Sequence, residues 1–409
     1  MRNNHSLISQ PSLPGTTFSD SGAAYACAMS DPSPASDQPE LSKIETPEQL
    51  ADYFKVNADV RSTRATPLSQ AILSQVVELT VSYDNSPDTV WVAKFQKASL
   101  PLQDMFRVEG AFYSNHAGDF MEGDIQVPEA LYCGDKCIVL KKIQDTTSYS
   151  LLESCPTNHL STIFRAMARM HAHFWGSKNL EDLSSTAGIG NAMSGLQKEQ
   201  YFPNCWQAFC RPLDDDRILQ LCQSLSERRL RDIHTRVHGY KPTLIHGDFH
   251  VANILFSPHK LWLLDWATCG LGNPMVDVVF FFLVSTRLSM TEMIGTWLPY
   301  YFRELTTCTN STDMTWESCL FMFRTCLLNQ FLVLVCYDQI SKRLLANEAS
   351  GEVHEHYMQH FENVNRRCVK ALLSKEMDLE NYPLPPHKTQ EEAVATRTDN
   401  IISNVIREL

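Results

Sequence analysis

Three polar residues stand at fixed intervals inside an otherwise apolar stretch: His246, Asp248 and Asn253 within Leu244-Ile-His-Gly-Asp-Phe-His-Val-Ala-Asn-Ile-Leu-Phe256. A fourth, Asp265, ends the apolar run Leu261-Trp-Leu-Leu264. This combination suits phosphoryl transfer, which needs an acceptor oxygen held in line and cations to neutralise phosphate charge, but little covalent chemistry from the protein. Asp248 can accept the proton of an acceptor hydroxyl. Asn253 and Asp265 offer the hard oxygen ligands that Mg²⁺ prefers.

The flanking residues say how these groups are brought together. Ile254-Leu-Phe256 and Leu261-Trp-Leu-Leu264 are strand-like, and Ser257-Pro-His-Lys260 between them is turn chemistry. A hairpin over this region returns Asp265 to the side of Asn253. His246 is expected to brace the loop structurally, and His250 is ambiguous.

The stretch HGDFHVANILF, followed by LLDWATCGLGNPMVDVVFF, resembles the aminoglycoside phosphotransferase and choline kinase superfamily. It is most similar to the ecdysteroid-kinase-like (CHK-type) branch. The resemblance covers about residues 50–340 and is strongest over 244–284. It implies a two-lobed α+β, protein-kinase-like fold with a β-rich N-terminal lobe and a mostly helical C-terminal lobe. It further implies Asp248 as catalytic base, Asn253 and Asp265 as Mg²⁺ ligands, and ATP as phosphoryl donor. Asp277 matches a family aspartate thought to brace the loop. A helix-start carboxylate after Asn273-Pro274 is the alternative reading of the same residue.

Upstream, Ser74–Tyr83 and Val90–Phe95 read as strands around the turn Asp84–Asp88. Val92-Ala-Lys94 resembles the kinase strand whose lysine meets the ATP phosphates. Lys94 is therefore expected to bind nucleotide, with Glu109, on a helix around Phe106–Tyr113, as its ion-pair partner. One departure stands out: no glycine occurs between Gly22 and Gly110. A nucleotide lid near Thr66–Leu73 would lack the residue that lets backbone amides approach phosphates. Ser69 and Gln70 are candidate substitutes. The departure keeps open a second reading, a catalytically inactive kinase-like binding module.

Glu129–Ile143 reads as a hairpin with a Gly-Asp turn leading to the interlobe hinge, where the resemblance would place an acidic residue and this chain has Lys141 and Lys142. Cys133 and Cys137 read as strand cysteines flanking the turn, since no second Cys/His pair completes a metal site. In the C-terminal lobe, Leu160 to Phe174 follow a helical repeat that Gly176 stops. His171 and His173 point to opposite sides of such a helix and cannot share an ion, so His171 is expected in the core. Hydrolysis by a metal on His246, Asp248 and His250 would need further ligands. The aromatics Tyr201, Trp206, Phe209, Trp297, Tyr300, Tyr301 and Trp316 could line an acceptor pocket or cage a quaternary amine, although helix packing is the commoner use of such residues. Asp214–Asp216 is expected to be a solvated helix start.

The chain has 409 residues, 44% hydrophobic and 20% charged, with a formal net charge of -12. That balance argues against nucleic acid or an anionic membrane surface as main partner and is compatible with a small-molecule hydroxyl substrate. No apolar run is expected to reach membrane-spanning length, so no membrane insertion is expected; protein partners are not specified. Thirteen cysteines without a framework, and no clear signal peptide, point to a reduced, cytoplasmic chain, with a weak transit-peptide character in residues 1–29 as the alternative. The expected organisation is a disordered tail over 1–43, a nucleotide lobe over 44–145, a catalytic and substrate lobe over 146–375, and a polar tail over 376–409 that could close in a short helix at Ile401–Leu409.

Overall fold

The computed structural model describes residues 44–389, apart from 56–58, 70–73, 97–102, 121–122, 178, 184–194, 214, 259, 310–313 and 349–351. The tails expected over 1–43 and beyond 389 lie outside the described residues.

The chain opens on α1 (Pro47–Lys55), where Thr46 and Gln49 form a capping box: Gln49 N donates to Thr46 Oγ1 at 3.3 Å and Thr46 N to Gln49 Oε1 at 3.1 Å. Three strands follow: β1 (Val60–Ser69), β2 (Ser74–Tyr83) and β3 (Thr89–Gln96). After α2 (Gln103–Asn115) and the short β4 (Ile125–Gln126), β5 (Ala130–Cys133) and β6 (Cys137–Lys141) complete an antiparallel sheet of order β1-β2-β3-β6-β5. The two-residue side-chain period of a strand assigns the faces. Val77, Leu79, Val81, Trp91, Ala93 and Phe95 are buried in a small core that also takes in Ile44 and Leu50. Lys94 falls between Ala93 and Phe95 and so lies on the opposite face.

Residues 66–69, expected to begin a lid loop, instead continue β1: Thr66 pairs with Glu78 and Pro67 with Val77. The remainder of the expected lid, from Gln70 to Leu73, lies outside the described residues, as does the side chain of Ser69. Lys141 and Lys142 are taken up by Glu129 at 3.2 Å and Glu78 at 2.5 Å.

The second part is mostly helical: α3 (Leu160–His173), α4 (Gly195–Cys210), α5 (Asp216–Ser226) and α6 (Leu230–His238) precede the stretch around His246, Asp248 and Asn253. Asp215 caps α5 through Arg217 N, as an acidic helix start should. Short strands β7 (Thr243–Ile245), β8 (Ile254–Phe256), β9 (Leu261–Leu263) and β10 (Gly270–Gly272) then carry the motif residues. β8 and β9 are the expected hairpin, with Ile254 opposite Leu263, and β9 also pairs in parallel with β4. The chain continues through α7 (Met275–Ser285), α8 (Met290–Glu292), a π-helical turn over Met293–Trp297, α9 (Leu298–Thr309), α10 (Trp316–Glu348) and α11 (Glu352–Leu372). An antiparallel N-terminal sheet followed by a helical region is the α+β arrangement expected.

Two expectations are revised. The stretch Trp316–Asp338 of α10 is, contrary to expectation, long and apolar enough to span a membrane, with mean hydropathy 1.8; 78% of its most apolar window is buried inside the protein. Residues after 376, expected as a polar tail, run against the helices as far as they are described: Arg229 N donates to Pro386 O at 2.9 Å, and Lys388 N to Glu227 O at 3.0 Å.

Candidate active site

The loop after β7 turns through Gly247, whose φ of +79° lies in the left-handed region that a side chain disfavours. Asp277, fully buried in the first turn of α7, holds this turn from below. Its Oδ2 accepts from His246 N and its Oδ1 from Gly247 N, both at 2.8 Å. His171 Nε2 approaches the same carboxylate at 3.2 Å, and Tyr301 Oη lies 2.7 Å from His171 Nδ1. Asp277 is thus both a helix-start carboxylate and the brace of the loop. His171 is a buried core histidine, and His173 is exposed on the other side of α3.

His246 is a second brace. Its Nε2 donates to Leu264 O at 2.9 Å, and its Nδ1 accepts from Asp248 N at 3.3 Å. The partners fix the tautomer, and burial lowers the pKa of the ring, so it stays neutral. Both nitrogens are engaged, which leaves no lone pair for a metal. No group of three metal-ligating side chains occurs among the described residues, and Cys133 and Cys137 flank the β5–β6 turn as expected.

Asp248 projects from the braced loop. His250 Nε2 lies 3.3 Å from its Oδ2, and Asn253 Nδ2 donates to its backbone carbonyl at 3.1 Å and its Oδ2 at 3.4 Å. Burial pushes the Asp248 carboxyl up, but His250, His246 and Asn253 outweigh it and hold it below the usual aspartate range. Burial likewise opposes the charge on His250, and Asp248 prevails and raises its pKa. His250, ambiguous from sequence, is therefore the ion-pair partner of Asp248.

Lys94 Nζ bridges two carboxylates, Glu109 Oε2 and Asp265 Oδ1, each at 2.7 Å. Burial alone would lower the pKa of this ammonium; the two carboxylates raise it above its ordinary value. Burial pushes the Glu109 carboxyl up to about 7 against the pull of Lys94. Asp265 itself has φ +61°, a left-handed conformation that costs of order 1–3 kcal/mol in a non-glycine residue and is typical of functional positions. Next to it Trp266, fully buried, stacks on Phe112 of α2 with centroids 3.8 Å apart and meets His246 at 4.7 Å. The same turn thus locks the helix of Glu109 to the loop of Asp248.

The sequence-derived residues therefore converge. Lys94, Asp248, Asn253 and Asp265 line one cavity of about 640 Å³, with Glu109 buried behind Lys94. Asn253 Oδ1 accepts no hydrogen bond among the described residues, and Asp265 uses one carboxylate oxygen on Lys94. Hard oxygens left available on both residues fit a Mg²⁺ ion, and the Lys94 ammonium fits phosphate oxygens.

The aromatics singled out in the sequence do not line this cavity. Trp297 stacks on Phe164, Phe209 packs on Phe331, Tyr301 bonds His171, and Trp316 packs on Phe302. The walls come instead from α7, α10 and α11, including Phe280, Gln330, Tyr337, Tyr357 and His360, none of which was foreseen. A faint signal existed: Gln330 interrupts the apolar run Leu327–Val335, and a polar residue in a buried run calls for a partner.

Residues 134–314 match the family model described as the Ecdysteroid kinase-like family. No curated protein matches the chain. Among solved structures, the choline kinase LicA from Streptococcus pneumoniae is 14% identical over 78% of this chain and 98% of its own, with a TM-score of 0.46. A choline kinase from Cryptosporidium parvum is 10% identical over 77% of this chain and 91% of its own (TM-score 0.47). The macrolide 2'-phosphotransferase MphH from Brachybacterium faecium is 13% identical over 78% and 97% (TM-score 0.44). Over residues 134–314, the chain is similar to the ecdysteroid kinase-like family.

Proposed function

We propose that the protein is an ATP- and Mg²⁺-dependent phosphotransferase acting on a hydroxyl group of a small molecule. The observation that supports this reading is one cavity lined by Lys94, Asp265, Asn253 and Asp248, an ammonium, two sources of hard oxygen and a carboxylate around one space. The similarity of residues 134–314 to the Ecdysteroid kinase-like family agrees with it.

In this reading Lys94, oriented by Glu109, binds phosphate oxygens of ATP. Asn253 and Asp265 hold Mg²⁺, which supplies charge neutralisation on the phosphates. Asp248, ionised at neutral pH, accepts a hydrogen bond from the acceptor hydroxyl and takes its proton as the oxygen bonds to the γ-phosphorus, while the bond from that phosphorus to the β–γ bridging oxygen breaks and ADP leaves. His250 fixes the Asp248 carboxylate through Oδ2, the oxygen that Asn253 Nδ2 also approaches. The braces His246 and Asp277 keep the loop from shifting, because small misplacements of reacting groups are costly.

The test is transfer of label from γ-labelled ATP to a library of hydroxyl compounds. Asp248→Asn should remove transfer from every compound that the wild type modifies, while ATP binding survives. Transfer at the wild-type rate in that variant would refute the assigned base. The glycine-free stretch from Gly22 to Gly110 favours one other reading, an inactive binding module, and that reading gains if the wild type binds no ATP at millimolar concentration.

A further inference from the structure

Two of the thirteen cysteines meet across a helical hairpin. Cys210 is the last residue of α4, and Cys222 lies in the third turn of α5. Ile218, Cys222 and Leu225 follow the helical period and form the buried face of α5, while Arg217, Leu219, Gln220 and Gln223 face solvent. The two thiols therefore lie directly beneath a peripheral helix. Their sulfurs are 3.5 Å apart, in van der Waals contact.

A disulfide holds its sulfurs at about 2.0 Å, so closing the pair takes a movement of about 1.5 Å. The hairpin can supply it locally. Cys210 stands where α4 ends and the chain turns, with Leu213 N donating to Cys210 O at 2.9 Å. The eleven-residue α5 packs chiefly on α4 and carries none of the residues that line the cavity of Asp248. A helix this short opens locally at small cost, which admits a reagent of nearly the size of water.

Burial makes most of the cysteines poor nucleophiles; it pushes the thiols of Cys155 and Cys319 up to about 12. Cys210 departs from them. The hydrogen bond from Cys222 outweighs burial and lowers the pKa of Cys210 below the ordinary thiol value. The same bond, together with burial, raises that of Cys222. The thiolate is the reacting form, so Cys210 is the residue that attacks first.

We propose that Cys210 and Cys222 are an oxidative modification site, at which hydrogen peroxide forms an intramolecular disulfide that ties α5 to the end of α4. The Cys210 thiolate attacks one peroxide oxygen; the S–O bond forms, the O–O bond breaks, and hydroxide leaves. Cys222 gives its proton to that hydroxide and attacks the sulfenic sulfur, and a second hydroxide leaves as the S–S bond forms. The proton released when Cys210 first ionised completes the second water. Each sulfur gives up one electron and the peroxide takes both. A thiol reverses the bond by exchange. The site is independent of the phosphotransferase reading.

The experiment treats the reduced full chain with hydrogen peroxide, alkylates the remaining thiols under denaturing conditions, and maps the digest by mass spectrometry without reduction. The expected product is a peptide pair joining Cys210 to Cys222, two hydrogens lighter than the separate peptides and parted by dithiothreitol. In Cys222→Ser the sulfenic acid should persist on Cys210 and be trapped by dimedone, whereas Cys210→Ser should give no trapped product at Cys222. Full alkylation of both cysteines in the wild type, at a dose that oxidises the exposed Cys308, would overturn the proposal. So would a disulfide from either residue to a different cysteine in place of the pair. The wild-type map decides by itself if a serine variant does not fold.

Discussion

Asp277 shows how much one carboxylate can organise. It accepts the backbone amides of His246 and Gly247 and faces His171, all in a site closed to water. Asp277→Ala would leave two buried N–H groups unpaired, and a loss of about 3–5 kcal/mol in urea unfolding is expected. Asp277→Asn keeps the volume but turns one acceptor oxygen into a donor aimed at donors, and should still lose about 2 kcal/mol. Wild-type stability in the asparagine variant would dismiss the brace. The neighbouring Asp248–His250 pair gives a pH signature. The raised pKa of His250 means its contribution to stability is full below the unfolded value of 6.5 and is lost as pH rises through the folded value. The depressed pKa of Asp248 means the opposite: its contribution is present above 3.8 and is lost as pH falls through the folded value. The stability difference between the wild type and His250→Gln should therefore be largest between these limits and shrink on both sides. A difference that is flat with pH would mean that the two side chains do not pair.

The hairpin β8–β9 and helix α2 meet at Trp266, and there the construction of the site can be tested apart from its chemistry. Trp266 stacks on Phe112, three residues from Glu109 on the same helix, and is itself adjacent to Asp265. Trp266→Ala should cost about 3–5 kcal/mol as a buried aromatic truncation. It should also weaken Mg²⁺-dependent ATP binding, because Glu109 and Asp265 would no longer be held on either side of Lys94. Loss of stability with unchanged ATP affinity would separate the packing from the site. These elements could be read in advance for a physical reason. Asp248, Asn253 and Asp265 lie on one loop and one hairpin, so spacing alone carries their geometry. Lys94 and Glu109 sit on a strand and a helix with clear periods. The cavity walls could not be read in the same way. Gln330, Tyr357 and His360 come from helices far downstream, and only tertiary packing of α10 and α11 brings them to Asp248. The aromatic residues that attracted notice satisfy one another in the core. The lid had no readable signal, since residues 66–69 extend β1 in a sequence without glycine.

The molecule as a whole joins a sheet that carries Lys94 to a helical body that carries Asp248, Asn253 and Asp265, and the ion pair from Lys94 to Asp265 spans 171 positions in the chain. Such a link would make the proposed nucleotide binding a property of both parts of the fold. A ligand that binds only the native state stabilises it by RT ln(1 + [L]/Kd), about 2.7 kcal/mol at a hundredfold excess over Kd. ATP with Mg²⁺ is therefore expected to raise the midpoint of thermal unfolding by a few degrees. The variants divide the effect. Asp265→Asn removes the charged metal ligand and one partner of Lys94, and should abolish the part of the shift that depends on Mg²⁺. Asp248→Asn leaves Lys94, Asn253 and Asp265 in place, and should keep the shift. A stabilisation by ATP that is indifferent to Mg²⁺ would show that Asn253 and Asp265 hold no metal. A shift lost equally in both variants would mean that Asp248 supports nucleotide binding, and its place as the proton acceptor would have to be argued anew.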